Sequence, residues 1–146
     1  MEFEQLKTLW DQDSQIDSKN LDTEALRIPR LHSKWYNFLI DLKIEYKKAE
    51  LSFAKEKIAA KNYYNGDYNP DDKRFKTLGH QSRKLKGEDM NDFISADSEL
   101  QKCQLKVFLI KEKMEFILNV LKQINDRGFQ ISNAIKWRKF MSGLND

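Results

Sequence analysis

The chain has 146 residues, of which 40% are hydrophobic and 34% are charged, and its net charge is +3. That length is typical of one domain, and the scarcity of Gly and Pro favours long helices, so the sequence predicts an all-α fold. The single cysteine, Cys103, excludes an internal disulfide framework and a Cys-rich zinc site and favours a reducing cytoplasm. Neither a leader peptide nor a run of about 18 apolar residues is present, so secretion and membrane insertion are not expected.

The first predicted region is an acidic N-terminal arm, residues 1–26. Its net charge is −5, which leaves +8 for residues 27–146. Such an asymmetry indicates a basic surface for a polyanion and an arm that contacts a basic partner or folds over that surface. An arm that is acidic only for solubility is the alternative. The spacing of Phe3, Leu6, Leu9 and Trp10 predicts a short helix within it.

A first long helix is predicted over residues 27–64. Apolar side chains recur there at alternating steps of four and three, which is a heptad pattern. The residues that follow it are Trp35, Leu39, Leu42, Tyr46, Ala49 and Phe53. Pro29 is expected to kink or restart this helix near its beginning. Asn65-Gly66 and Asn69-Pro70 are expected to end it.

A second long helix is predicted over residues 89–127, with Asp89 or Ser95 as its N-cap and Gly128 just after its end. Its seam follows heptad spacing through Phe93, Ala96, Leu100, Cys103, Val107, Ile110, Met114, Ile117, Leu121 and Ile124. Further apolar residues imply a second packing surface: Leu105, Phe108, Leu109, Phe116, Leu118 and Val120. Two such helices predict a long helical hairpin with coiled-coil-like packing.

The connection between the long helices, residues 65–88, is a predicted basic loop. Cations and tyrosines are interleaved in and just before it, and residues 73–86 contain no acid. Single-stranded DNA is held without sequence preference by such a mixture, because cations contact phosphates while aromatic rings stack on unpaired bases. The DNA-binding candidates are Lys57, Lys61, Tyr63, Tyr64, Lys73, Arg74, Lys76, Arg83, Lys84 and Lys86. A solvated loop whose tyrosines merely cap the hairpin is the alternative.

The last predicted region, residues 128–146, is a C-terminal assembly segment. Its apolar residues have helical spacing, but a helix this short is unstable in isolation unless it is docked. We therefore expect it to pack against another subunit. The oligomerisation candidates are Phe129, Ile131, Ile135, Trp137, Phe140 and Met141.

No catalytic motif is present. A Gly-rich phosphate loop, a His-Glu-x-x-His helix and a Gly-x-Ser-x-Gly elbow are all missing from the sequence. Cys103 could be considered as a nucleophile, but it lies at a seam position where a small thiol packs well. The sequence therefore predicts a protein that is not an enzyme and that needs no cofactor or metal.

Several short blocks, read in order from about residue 16 to the C-terminus, resemble the UvsY family, the recombination mediators of T-even-like phages. None is specific alone, but their order and spacing are specific as a set. The first blocks are Ile16-Asp17-Ser18, Leu21, Glu24-Ala25, Leu31 and Ser33-Lys34-Trp35. They continue with Tyr63-Tyr64-x-Gly66, then Ser95-Ala96-Asp97, Leu100 and Lys102. The last are Arg127-Gly128-Phe129-x-Ile131, Ile135, Arg138, Phe140 and Gly143.

The resemblance implies a ring-like homo-oligomer, hexameric or heptameric, that assembles through its C-terminal region in the cytoplasm of the infected host. It also implies binding to single-stranded DNA, to a RecA-like phage recombinase of the UvsX type and to the phage single-strand-binding protein. The family pattern has a Lys-Ala-Arg cluster before the tyrosines, where this chain has Ile58-Ala59-Ala60. Lys57, Lys61 or the 73–86 run are expected to replace those cations.

Two other functions fit the same patterns. One is a structural coiled-coil adaptor that does not bind nucleic acid, in which the loop is a spacer. The other is a peripheral binder of membranes or acidic proteins that uses the same lysines.

Overall fold

The computed structural model describes residues 1–81 and 84–143, and the secondary structure of this part of the chain is entirely α-helical. The helices are α1 (Phe3–Asp13), α2 (Leu21–Tyr64), α3 (Lys73–Leu78), α4 (Gly87–Ala96) and α5 (Ser98–Met141). The predicted all-α class is confirmed. The chain forms two compact units: unit 1 comprises Met1–Leu42 with Glu112–Asp146, and unit 2 comprises Lys43–Lys111.

Helix α1 confirms the short helix predicted in the N-terminal arm. Its first turn is closed by a capping box, in which the backbone N–H of Glu2 donates to Oε1 of Gln5 at 2.9 Å. Its apolar side buries Leu6 and Trp10. The indole of Trp10 packs edge-on against that of Trp35, with the ring centroids 5.6 Å apart.

Helix α2 buries the apolar stripe that the sequence predicted. The buried members of that stripe are Trp35, Leu39, Leu42 and Ala49. The helix is continuous from Leu21 to Tyr64, so the restart expected at Pro29 is wrong. Leu21 and Leu31 are buried on either side of this exposed proline, and their packing outweighs the one backbone hydrogen bond that proline cannot make.

Helix α5 begins later than predicted, because Asp97 interrupts the chain between α4 and α5. Its carboxylate accepts the backbone N–H of Leu100 at 2.9 Å, which is an N-cap hydrogen bond. The predicted caps, Asp89 and Ser95, lie instead within α4. The seam is confirmed in α5, where Leu100, Ile110, Ile117, Leu121 and Ile124 are buried. Phe93 and Ala96 belong to α4 and are exposed.

The end predicted at Gly128 is also wrong, because α5 continues through it to Met141. Glycine in a helix interior costs about 1 kcal/mol relative to alanine. Arg127 and Ile131 are buried on either side of Gly128, and this packing offsets the cost. Residues 128–141 are therefore the last turns of a long helix and not a separate segment.

The additional apolar residues of α5 differ in exposure. Val120 is buried, and Phe116 is partly buried and packs edge-on against Phe3, with the ring centroids 5.6 Å apart. The exposed members are Leu105, Phe108, Leu109 and Leu118. In the described part of the chain, no helix combines the length and the apolar character that crossing a membrane requires.

Candidate nucleic-acid interface

Arg74 is the centre of a buried polar network in unit 2. It lies on α3, and its side chain is only 2% exposed. Its Nε donates to Oδ2 of Asp97 at 2.7 Å and its Nη2 donates to Oδ1 of the same carboxylate at 2.9 Å. Nη2 also donates to Oε1 of Glu56 at 2.8 Å. A planar guanidinium suits this two-pronged pairing, and it ties α3 to α2 and to the start of α5.

The two tyrosines at the end of α2 belong to the same core. Tyr63 is 2% exposed and Tyr64 is 5% exposed. The hydroxyl of Tyr64 donates to Oδ2 of Asp97 at 2.6 Å, and that of Tyr63 donates to the carbonyl oxygen of Gly79 at 2.7 Å. These bonds satisfy the only polar atoms of two otherwise apolar side chains.

The network shifts the pKa of its members in opposite directions. Burial raises the pKa of Tyr64, and donation of its proton to the carboxylate of Asp97 raises it further. Burial also disfavours the ionised form of Asp97, but hydrogen bonds from Arg74, Tyr64 and the Leu100 backbone outweigh it and lower the pKa of this carboxyl group. Asp97 is therefore a charged, fully engaged anchor at neutral pH.

Six of the predicted lysines surround this network and are exposed. They are Lys57, Lys61, Lys73, Lys76, Lys84 and Lys86. Of these six lysines, only Lys73 forms an ion pair within the described part of the chain: its Nζ lies 4.0 Å from Oε2 of Glu99. Unit 2 as a whole contains fifteen Lys and Arg residues against eleven Asp and Glu residues, a net charge of +4.

The lysines are distributed over two flanks of α2. Lys57 and Lys61 precede Tyr64 by seven and three residues, so they share its helix face. Helix α3, with Lys73 and Lys76, lies on the other flank, where Glu56 and Tyr63 contact Arg74 and Gly79.

Lys84 and Lys86 connect the two flanks at the end of α2. The backbone N–H of Leu85, between them, donates to the carbonyl oxygen of Tyr64 at 3.1 Å. The stem of Lys84 lies beside Gly66, whose φ of +86° suits glycine. The basic surface therefore curves around the end of this helix.

Three of the predicted DNA contacts are buried in the structure. Arg74, Tyr63 and Tyr64 are buried, so in this conformation their side chains cannot reach a strand, and they hold the surface together instead. Arg83 lies outside the described residues. Sequence reasoning missed Asp97 and Glu56; an Asp just before the apolar seam is an N-cap signal that could have located Asp97.

The position where the chain departs from the family pattern is part of the core. Ala60 is fully buried in a cluster with Tyr63, Tyr64 and Leu100, whereas Ile58 is exposed. A long cationic side chain at position 60 would therefore have to displace the packed side chains around it.

The predicted assembly residues are mostly exposed at the end of α5. Phe129, Trp137, Phe140 and Met141 are each more than 60% exposed, and Trp137 stacks on Phe140 with the ring centroids 5.8 Å apart. Ile135 is exposed at 36%. Ile131 is only 3% exposed, so it belongs to the core of unit 1 and its predicted role in assembly does not fit.

The described residues contain no cluster of His, Cys, Asp and Glu that could hold a metal ion. The exposed lysines around Arg74 make this surface of unit 2 basic. Comparison with known proteins identifies the class. Residues 9–144 match the family described as "Recombination, repair and ssDNA binding protein UvsY", and the chain belongs to this family.

Individual relatives give the same result. The chain is 28% identical to the recombination protein uvsY of Enterobacteria phage T4 over 98% of its own length and 99% of that protein. It is similar to crystal structures of the bacteriophage T4 recombination mediator protein UvsY. One, in lattice type IV, has a TM-score of 0.85 at 26% identity and covers 96% of this chain and 99% of the other. Another, in lattice type II, has a TM-score of 0.83 at 26% identity and covers 97% and 98%.

Proposed function

We propose that this chain is a recombination mediator that binds single-stranded DNA through the lysines of unit 2. It promotes loading of a RecA-like phage recombinase, of the UvsX type, onto strands covered by the phage single-strand-binding protein. This activity serves phage homologous recombination, repair and recombination-dependent replication in the host cytoplasm. The supporting observation is the curved surface of six exposed lysines fixed around the network of Arg74 and Asp97.

The chemistry of this surface suits a flexible strand better than a duplex. Its cations curve around the end of α2, and no helix projects from it as a reading element for a groove. A single strand can follow such a curve because it is flexible. Lysine contacts to phosphate are individually weak, so one subunit gives modest affinity.

Assembly supplies the missing affinity. The exposed end of α5, carrying Phe129, Trp137, Phe140 and Met141, is an apolar surface of the kind that marks subunit contacts. In a ring-like homo-oligomer, many copies of the lysine surface hold one strand at once, and multivalency raises the overall affinity without new contacts. A strand bent in this way fits the single-strand-binding protein poorly, which lowers the cost of starting a recombinase filament.

Binding of labelled oligo-dT at several salt concentrations tests the DNA-binding step. The logarithm of the association constant should fall linearly with the logarithm of the salt concentration, with a slope of about −0.7 per phosphate neutralised. A coiled-coil adaptor gives no binding even at low salt, and that result contradicts the proposal. A lipid or acidic-protein binder is distinguished by competition with anionic vesicles or polyglutamate, neither of which should displace oligo-dT at equal charge.

Loading is tested with a fluorescent single-strand-binding protein on oligo-dT and a RecA-like phage recombinase. The proposal expects faster displacement of the fluorescent protein when this chain is present. An unchanged displacement rate, with oligo-dT binding intact, limits the function to binding.

Light scattering on Trp137→Ala with Phe140→Ala tests assembly. We expect smaller species with unchanged helix content, because both side chains are exposed and contribute little to the fold of one subunit. Ile131→Ala is the matched control. Because Ile131 is buried, this variant should lower the free energy of unfolding by about 2–5 kcal/mol. An intact oligomer in the double variant places the contact elsewhere.

A further inference from the structure

We infer that Phe93 is a base-stacking residue of the lysine surface, so that an unpaired nucleobase lies on its ring while the adjoining phosphates contact Lys57 and Lys61. This inference rests on the proposed function and adds an aromatic contact to it. The sequence assigned stacking to Tyr63 and Tyr64, which are buried.

Exposure distinguishes Phe93 from the other rings around the surface. It is 46% exposed, whereas Tyr68 and Phe75 are partly buried against the core cluster. Among the described residues from 55 to 97, no other Phe, Tyr or Trp side chain is exposed to this extent. A single exposed apolar residue is common on protein surfaces and means little alone. The case for Phe93 as a stacking residue therefore depends on its neighbours, Tyr64 and the lysines of α2.

The ring of Phe93 is supported from behind. Its centroid lies 5.6 Å from that of Tyr64, with the ring planes at 53°. Tyr64 is itself fixed by its hydroxyl bond to Asp97. A stacking platform binds a base at lower entropic cost when its own ring is already held in place, and this one is held on one side while about half of its surface is open.

The two lysines of the inference lie on the face of α2 that carries Tyr64. Tyr64, Lys61 and Lys57 share one face of α2, and Phe93 contacts Tyr64, so its ring lies on the side of α2 that carries these two exposed lysines. Phosphates bound by these lysines therefore place their bases toward α4. Helix α4 carries three exposed carboxylates that oppose phosphate there, Glu88, Asp89 and Asp92. Of these, Asp89 precedes Phe93 by four residues and lies on the same side of the helix. It disfavours phosphate on that side and keeps the backbone of the strand over the lysines.

The test compares two strands of equal length, oligo-dT and an abasic deoxyribose-phosphate oligomer, on the full-length protein. Phe93→Ala should lower the affinity for oligo-dT by about 5- to 150-fold, the range measured for loss of one stacked base. Its affinity for the abasic strand and its salt slope should equal those of the wild type, because no phosphate contact is lost. Phe93→Tyr, which keeps the ring, should restore oligo-dT binding.

Phe108→Ala is the matched control. Phe108 is 55% exposed in the same unit but borders Tyr46, Glu50 and Phe53 rather than the lysine pair, so this variant should bind both strands as the wild type does. Wild-type affinity of Phe93→Ala for oligo-dT overturns the inference and leaves the proposed function intact. Equal losses on both strands also overturn it, since they indicate a structural role. A wild-type protein that binds neither strand overturns the proposed function itself.

Discussion

Among the described residues, each unit contains one buried arginine, and the two have very different hydrogen-bond partners. Arg74 of unit 2 gives three side-chain hydrogen bonds to the carboxylates of Asp97 and Glu56. Arg127 of unit 1 is 3% exposed, and its Nη2 donates to the backbone oxygens of Asp13 and Ser14 at the end of α1. Its Nη1 lies 3.9 Å from Oε2 of Glu24 and has no hydrogen-bond partner among the described residues.

The difference shows what each cation stabilises. A buried charge is tolerated when hydrogen-bonded counter-charges replace its water, and Arg74 meets that condition. Burial lowers the pKa of Arg127, and the nearby charge of Arg27 lowers it further, so Arg127 is the less well stabilised of the two. Arg74 therefore fixes a basic surface, whereas Arg127 only fastens the acidic helix α1 to its unit.

Of the changes considered, breaking the network of Arg74 should lower the free energy of unfolding most. Arg74→Met keeps most of the side-chain volume but leaves Asp97 buried and unpaired, so we expect a loss of about 3–5 kcal/mol in the free energy of unfolding. Urea unfolding at fixed protein concentration measures it. Lys76→Met on the same helix should change the free energy by less than about 0.5 kcal/mol. A stable Arg74→Met that has lost only DNA binding contradicts the structural role.

Acid should weaken the same network. The pKa of Asp97 in the folded protein lies below its ordinary value of 3.8, so its stabilising contribution is present at neutral pH and is lost as the pH falls below about 4 through the folded-state pKa. Thermal unfolding between pH 7 and pH 3 measures this loss. Asp97→Asn should be less stable at pH 7 and should depend less on pH in that range. Equal pH dependence of both proteins excludes Asp97 as the source.

Replacing Arg127, the buried arginine of unit 1, should lower the free energy of unfolding less. Arg127→Met breaks two hydrogen bonds to backbone oxygens but also removes an unpartnered buried N–H group, so we expect a loss of about 1–2 kcal/mol. Hydrogen exchange should show faster exchange in α1 and unchanged protection in α3. A loss equal to that of Arg74→Met contradicts the difference between the two arginines.

Periodicity predicted the helices well where apolar packing decides the structure. The stripe from Trp35 to Ala49 and the seam from Leu100 to Ile124 are buried as expected. The local breaker signals were wrong where they predicted a helix restart at Pro29 and a helix end at Gly128, because side chains buried on both sides of each residue outweigh them. Arg127 shows the limit of sequence rules most clearly. It lies three residues after Ile124 on the same helix side and is buried, but sequence rules do not treat an arginine as a core residue.

The sequence predicted that the lysines of the candidate site are exposed, but it did not predict that Arg74, Tyr63 and Tyr64 are buried. The segment around residues 55–86 does present exposed lysines, since lysine is rarely buried. Which cation and which rings turn inward depends on Asp97 and Glu56, more than 15 residues away along the chain from Arg74. Such long-range pairing is not visible in local sequence.

The most direct test of the account is the salt dependence of oligo-dT binding by two charge-matched triple variants. One replaces Lys57, Lys61 and Lys76 of unit 2 with glutamine, and the other replaces Lys7, Lys19 and Lys122 of unit 1, all six being exposed. The account predicts that the slope of the first variant falls by about 0.7 per lysine, roughly 2 for each subunit that contacts the strand, and that the second variant keeps the wild-type slope. Equal slopes for the two variants, at whatever value, contradict a DNA-binding surface on unit 2.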